Sequence, residues 1–204
     1  RAAGVDAGVR IGLRKRIPAG GGLGGGSSDA ATVLLGLDAL WETRLGLDAL
    51  AELGAALGAD VPVFVRGRTA WAEGVGERLT PIATPAAHFV VLVPDVHVET
   101  ARVFADPALT RDTPVSTMPA FFETGGRNDC TPVTRRMHPE VGRALDWLGT
   151  HGEACMSGTG ASIFLRCDDE TRARAIAARI PEPWRGFVVE AVDVSPTHVA
   201  LGLV

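Results

Sequence analysis

From residue 27 onward, apolar positions recur at spacings of three and four. Ala30, Val33, Leu34, Leu37, Leu40 and Trp41 share one face of a helix predicted over residues 27–43, which Ser27 or Ser28 can cap. A shorter stripe of Leu47, Leu50, Ala51 and Leu57 predicts a second helix over 47–57, opened by Asp48 and closed by Gly58. Residues 59–64 read as a turn carrying Asp60 and Pro62. On either side the period shortens. Residues 9–16 alternate loosely and lead to Pro18, as a strand entering a glycine tract would. Residues 69–73 and 77–82 predict two strands separated by Gly74 and Gly76, and the proline-bearing stretch 83–86 reads as a linker.

Beyond the linker, the continuous apolar run 88–93 predicts a buried strand. Residues 110–134, rich in proline and holding Gly125-Gly126, read as irregular loop with short helical pieces. A helix over 139–149 turns Val141, Leu145 and Leu148 inward, and strands at 161–165 and 186–194 flank a helix at 170–180. Strands and helices mix without strict alternation, so the fold class is α+β, divided at the linker into residues 1–83 and 84–204.

Composition narrows the function. The 204 residues are 46% hydrophobic and 22% charged, which excludes a disordered or fibrous chain. Net charge is −4 with no dense basic cluster, so nucleic acid is not an expected partner and a small polar ligand is. Lys15 is the single lysine among 20 basic residues. No apolar run is long enough to span a membrane and no signal segment opens the chain, so a cytoplasmic protein without a membrane partner is expected. Three cysteines without a CxxC pair support neither a disulfide framework nor zinc; Cys155 and Cys167 read as small buried hydrophobes and His198 as a surface residue.

The most informative stretch is Pro18-Ala-Gly-Gly-Gly-Leu-Gly-Gly-Gly-Ser-Ser-Asp-Ala-Ala31. Six glycines in seven residues give up backbone entropy that a bland turn would keep. What they provide is peptide N–H groups free of any Cβ, set directly before a helix N-terminus whose dipole favours an anion, so phosphate is the expected guest. A Walker loop would need a lysine where Gly26 and Ser27 stand. Gly20, Gly22 and Gly25 satisfy GxGxxG, but the following helix leads to another helix instead of a strand ending in an acid, so the dinucleotide reading is weak.

The tract resembles the phosphate loop of the GHMP kinases throughout. Further blocks, among them Gly58-Ala-Asp-Val-Pro62, Ala72-Glu-Gly-Val-Gly-Glu77, Asn128-Asp-Cys130, Ser157-Gly-Thr-Gly-Ala161 and Ser195-Pro-Thr-His198, are similar to those of the 4-diphosphocytidyl-2-C-methyl-D-erythritol kinase family. The resemblance implies a two-domain architecture: a ribosomal-protein-S5-domain-2-like N-terminal unit and a ferredoxin-like C-terminal domain. It implies a kinase acting in non-mevalonate isoprenoid precursor biosynthesis, with ATP and Mg²⁺ as cofactors and a cytidine diphosphate ester of methylerythritol as substrate, phosphorylated on its 2-hydroxyl. Monomer and homodimer are both compatible with it. Family members also carry an early Ala-Lys-Leu-Asn strand and a Gly-Tyr-His segment that would precede Arg1, so the resemblance implies a chain lacking roughly its N-terminal third. Another GHMP small-alcohol kinase, of homoserine or mevalonate type, and a non-catalytic nucleotide-binding fragment are the alternatives.

Residue by residue, the resemblance makes Asp60 the catalytic base, a carboxylate that orients the acceptor hydroxyl and takes its proton; the bland reading is an Asp that caps the turn before Pro62. It assigns nucleotide binding to Lys15, Pro18, Gly20, Gly21, Gly22, Gly24, Gly25, Gly26, Ser27 and Ser28, with Ser27 also the expected Mg²⁺ contact. Substrate binding falls to Thr100, Phe104, Gly158, Thr159 and Gly160, with Phe104 stacking on the cytosine. Asp29 sits awkwardly, since an acid in the opening turns suits the dipole but repels phosphate unless it faces the cation or solvent.

Overall fold

The computed structural model describes residues 4–204, which run in the order α1 (Gly25–Leu40), α2 (Gly46–Ala55), α3 (Val61–Arg66), β1 (Ala70–Glu73), β2 (Arg78–Pro81), β3 (His88–Val93), α4 (Thr100–Ala105), α5 (Met118–Thr124), α6 (Cys130–Met137), α7 (Pro139–Gly149), β4 (Ala154–Met156), β5 (Ile163–Cys167), α8 (Glu170–Ala177), β6 (Arg185–Glu190) and α9 (Pro196–Ala200). They form two compact units. The first comprises residues 4–16, Gly24–Pro85 and Val192–Val204; the second comprises Ile17–Leu23 and Ala86–Ala191.

In the first unit, α1, α2 and α3 enclose a small core of Ala31, Leu35, Leu50, Ala51, Val61 and Val65. Gly54 lets α2 approach α3 closely, since a Cβ there would stand 2.8 Å from Val61 Cγ1. The deepest positions on α1 are Ala31 and Leu35, so the buried face is rotated from the stripe read in the sequence; Leu40 and Leu57 are 65% exposed. β1 and β2 form an antiparallel hairpin in which Ala70 faces Pro81 and Glu73 faces Arg78. The C-terminal segment, ending in α9, packs back into this unit.

Three expectations fail here. The predicted strand at 9–16 has no regular structure: no described strand pairs with it, and Val9, Ile11 and Leu13 are exposed. The turn at 59–64 is instead the opening of α3, where Pro62 is tolerated because first-turn N–H groups need no helical partner. His198, read as a surface residue, is 1% exposed.

The second unit is a four-stranded antiparallel sheet ordered β4-β5-β3-β6. With α7 between β3 and β4 and α8 between β5 and β6, it is the βαββαβ ferredoxin-like arrangement. Val90 pairs with Leu165 and Val188, and this face, with Leu92 and Ile163, packs on Val141, Ala144 and Leu148 of α7 and on Ala173 and Ile176 of α8. The opposite face carries Phe89 and Phe164 in edge contact, centroids 6.0 Å apart. β5 starts at Ile163 because Ala161 and Ser162 belong to the preceding turn, and the short β4 escaped the sequence pattern. Cys167 is buried as expected, whereas Cys155 is half-buried. Among the described residues, no helix is long and apolar enough to cross a membrane.

Leu165→Ala is expected to cost about 2–5 kcal/mol of stability, while Leu57→Ala should stay within about 0.5 kcal/mol. Urea midpoints measure both, and equal midpoints would contradict this placement of the core.

Candidate functional site

Two glycine-rich turns interlock within the second unit. Ser162 N donates to Gly21 O at 2.9 Å, and Ser157 Oγ donates to Gly22 O at 2.7 Å. The approach is backbone to backbone: a Cβ on Gly22, whose φ is +72°, would overlap the carbonyl oxygen of Ser157 and reach 2.8 Å from that of Gly160. A Cβ on Gly20 would likewise overlap the His97 imidazole. Gly20 and Gly22 have positive φ and Gly21 between them does not, an alternation of the kind that turns successive N–H groups to one side.

The second turn, 157–161, joins β4 to β5 and is held by polar side chains of three other segments. Asn128 Nδ2 donates to Met156 O at 2.8 Å and to Gly158 O at 2.7 Å. Thr134 Oγ1 donates to Thr159 O at 2.9 Å, and the Thr159 and Thr100 hydroxyls lie 3.0 Å apart. Thr100, Thr159, Gly158 and Gly160 are thus gathered beside Gly20–Gly22. Phe104 lies one turn beyond Thr100 on α4 and is 55% exposed, so it is no core residue. α4 is fixed at its C-terminus by Asp106, which accepts from Ala108 N at 2.9 Å and from Arg136 Nη2 at 2.6 Å. The Ala108 amide and then Arg136 hold the Asp106 carboxyl below its ordinary value, against the opposing effect of burial.

Sequence reasoning gave no chemistry to Asn128, named Ser157 only as the start of the second glycine motif, and passed over Thr134 and Ser162. Their signal is small polar residues flanking the second glycine motif, which mean nothing until the turn closes on the first. Ser162 Oγ, fully buried, has no hydrogen-bond partner among the described residues, and a Cβ on Gly21 would stand 3.1 Å from it. The open cavity of about 810 Å³ in this unit, lined by Asn128, Cys155 and Phe164 among others, is lined by none of the expected substrate residues.

The first unit holds the rest of the tract. Gly24, at φ +64°, is the N-cap of α1, and no side chain caps the helix, which corrects the expectation that Ser27 or Ser28 does so. Ser28 N already bonds Gly24 O, which leaves the amides of Gly25, Gly26 and Ser27 as orphan donors of a 16-residue helix. The Phe64 ring lies against Gly24, where a Cβ would be 2.8 Å from Cζ, so α3 supports the turn that starts α1. Asp60 is the N-cap residue of α3 but makes no side-chain cap bond, and it is exposed. The capping explanation for this acid therefore fails. Lys15 Nζ meets Asp29 Oδ2 at 2.5 Å, each side chain about a third exposed, so the acid in α1 is neutralised by the single lysine.

These donors fit a nucleotide's phosphates. Among the described residues no cluster of three His, Cys, Asp or Glu could hold a metal. Mg²⁺ suits such a place, because it keeps waters and binds chiefly through phosphate oxygens.

The pattern of the GHMP kinases N terminal domain matches residues 1–68, and that of the GHMP kinases C terminal domain matches residues 117–186. A 4-diphosphocytidyl-2-C-methyl-D-erythritol kinase of Halorhodospira halophila is 53% identical over 203 residues, covering 98% of this chain and 70% of the relative. That of Chromohalobacter salexigens is 51% identical over 208 residues, covering 99% and 70%. The crystal structure of a 4-(cytidine 5'-diphospho)-2C-methyl-D-erythritol kinase superposes with a TM-score of 0.75 at 36% identity, over 86% of this chain and 68% of that one. A homoserine kinase from Cytophaga hutchinsonii shares the fold, with a TM-score of 0.62 at 17% identity over 89% and 69%. The chain belongs to the GHMP kinases and, among them, to the 4-diphosphocytidyl-2-C-methyl-D-erythritol kinase family.

Gly22→Ala combines a positive-φ conflict with overpacking and is expected to cost roughly 1–3 kcal/mol. Gly26→Ala, with open space around its Cβ, should leave stability unchanged or raise it. Denaturant midpoints separate the two, and a neutral Gly22→Ala would refute the interlock. Asp106 supplies a pH test. A folded pKa below the ordinary value, about 3.9, stabilises the fold above that value, and the contribution disappears as pH falls through the lower folded one. Midpoints followed down to about pH 2.5 should show a shallower acid loss in Asp106→Asn than in the parent; parallel curves would contradict the assignment.

Proposed function

We propose that this chain transfers the γ-phosphoryl group of ATP to the 2-hydroxyl of 4-diphosphocytidyl-2-C-methyl-D-erythritol, a step of non-mevalonate isoprenoid precursor synthesis. The observation that carries the reading is Asp60, an exposed carboxylate at the head of α3 with no capping bond, on the helix whose Phe64 supports the start of α1. The curated relatives are named for this substrate.

In this reading the orphan amides of Gly25, Gly26 and Ser27 bind the nucleotide's terminal phosphates, aided by the helix dipole. In the second unit, Gly20–Gly22 offer backbone donors of their own. Ser27 Oγ would contribute to holding Mg²⁺, which would supply charge neutralisation on the transferred group. Asp60 orients the acceptor hydroxyl and accepts its proton as the new O–P bond forms. Thr100, Thr159 and the Gly158–Gly160 amides bind the substrate's polar part, and the exposed Phe104 ring stacks on the cytosine. Free cysteines accord with a cytoplasmic setting.

Asp60→Asn should lower turnover by about 10²–10⁴-fold while ATP affinity measured by calorimetry stays within about twofold, since the carboxylate binds no phosphate. Unchanged turnover with the cytidine ester, or preference for homoserine over it, would overturn the reading. Lys15→Ala leaves Asp29 uncompensated near the phosphates and should weaken ATP binding up to about fivefold, the range of an exposed ion pair. Adding Asp29→Asn should restore it, and additive losses in the double variant would refute charge compensation.

A further inference from the structure

His198 is the residue the sequence placed worst. Its ring is 1% exposed, and Nε2 lies 2.8 Å from the Val65 carbonyl oxygen. A carbonyl only accepts, so Nε2 carries the proton and donates; Nδ1, buried, has no partner among the described residues. Val65 O is one of the last-turn carbonyls that a helix leaves unmade, and α3 has only six residues.

The surroundings are built for this contact. Gly67 ends α3 at φ +63°, donating to Val63 O at 3.0 Å. A Cβ on Gly67 would overlap the imidazole itself, so the glycine is required both by its backbone angle and by the ring lying on it. Ser195 N donates to Gly67 O at 2.8 Å, Thr69 N to Asp193 O at 3.1 Å, and Arg68 pairs with Val194, so the C-terminal segment is fastened along residues 67–69. The Ser195 side chain caps α9, whose first turn presents His198. At the other end of α3, Val61 packs against Gly54, and the residue before it is Asp60.

We propose that His198 is a positioning residue for catalysis: its hydrogen bond to Val65 fixes the C-terminal end of α3 so that the turn bearing Asp60 is held in one orientation. This rests on the Asp60 reading above. An isolated helix of this length is marginal in water, so without a fixed end its head is free to wander, and a displaced base loses rate before it loses binding.

The test compares His198→Ala, His198→Gln and Asp60→Asn in the full chain. His198→Gln keeps a side-chain N–H donor. The expected result is a fall of at least about tenfold in kcat for His198→Ala with KM for ATP unchanged, partial recovery in His198→Gln, and faster hydrogen exchange confined to the amides of α3. Full kcat in His198→Ala beside an inactive Asp60→Asn would overturn this proposal and leave the Asp60 reading standing. An active Asp60→Asn would remove that reading instead, and the exchange rates then decide whether His198 orders α3. Exchange in α3 identical to the parent's would overturn the proposal, as would His198→Ala unfolding the whole unit while His198→Gln, folded, shows normal kcat and exchange.

Discussion

The second unit's two glycine-rich turns depend on two peptide backbones meeting without side chains between them. Gly22 O accepts from Ser157, Gly21 O accepts from Ser162 N, and the carbonyls of Ser157 and Gly160 fill the space where a Gly22 side chain would be. Such an approach costs entropy in the unfolded glycines, and the return is a rigid frame from flexible residues. Asn128 and Thr134 reinforce it from behind by satisfying the carbonyls of Met156, Gly158 and Thr159.

The first unit solves the same problem with helices. Gly24 turns the chain into α1 in a left-handed conformation, and Phe64 fills the space a side chain there would need. Because no side chain caps α1, its first amides stay available; a serine cap would have consumed one of them. The serines' role is therefore decided by what they do not do. Asp29 places an acid in the opening turns of α1, and Lys15 pairs with it.

Much of this was legible in the sequence, and what was not has identifiable reasons. The 3.6-residue period located α1, α2 and α7 because those helices face a core on one side, and the apolar run of β3 marked a central strand covered on both faces. The glycine tract pointed to a phosphate guest because it stands directly before a helix N-terminus and resembles the GHMP phosphate loop. Pro62 disguised α3, since proline signals a break in most of a helix but not in its first turn. The strand at 9–16 failed because alternation marks a strand's faces and says nothing about whether a partner lies beside it. The polar supports of the turn at 157–161 were invisible, because hydrogen bonds between Asn128 and Gly158, or Thr100 and Thr159, join residues far apart in sequence. His198 was misjudged because burial of a histidine follows from a single long-range acceptor, Val65 O.

α3 shows why the placement of Asp60 is a matter of packing more than of propensity. Six residues, most of them β-branched or proline, form a poor helix on their own. The segment is helical because Val61 and Val65 are buried against α1 and α2 and because its terminal groups find partners. The one side chain that could have helped from within, the Asp60 carboxylate at the N-cap, is left out of that scheme. A capping bond typically contributes about 1 kcal/mol; Asp169 caps α8 and Ser195 caps α9, whereas the aspartates at the N-caps of α3 and α6, Asp60 and Asp129, make no such bond. Residues that break a local rule without structural compensation are where function is expected to lie, and the uncapped carboxylate of Asp60 is such a residue.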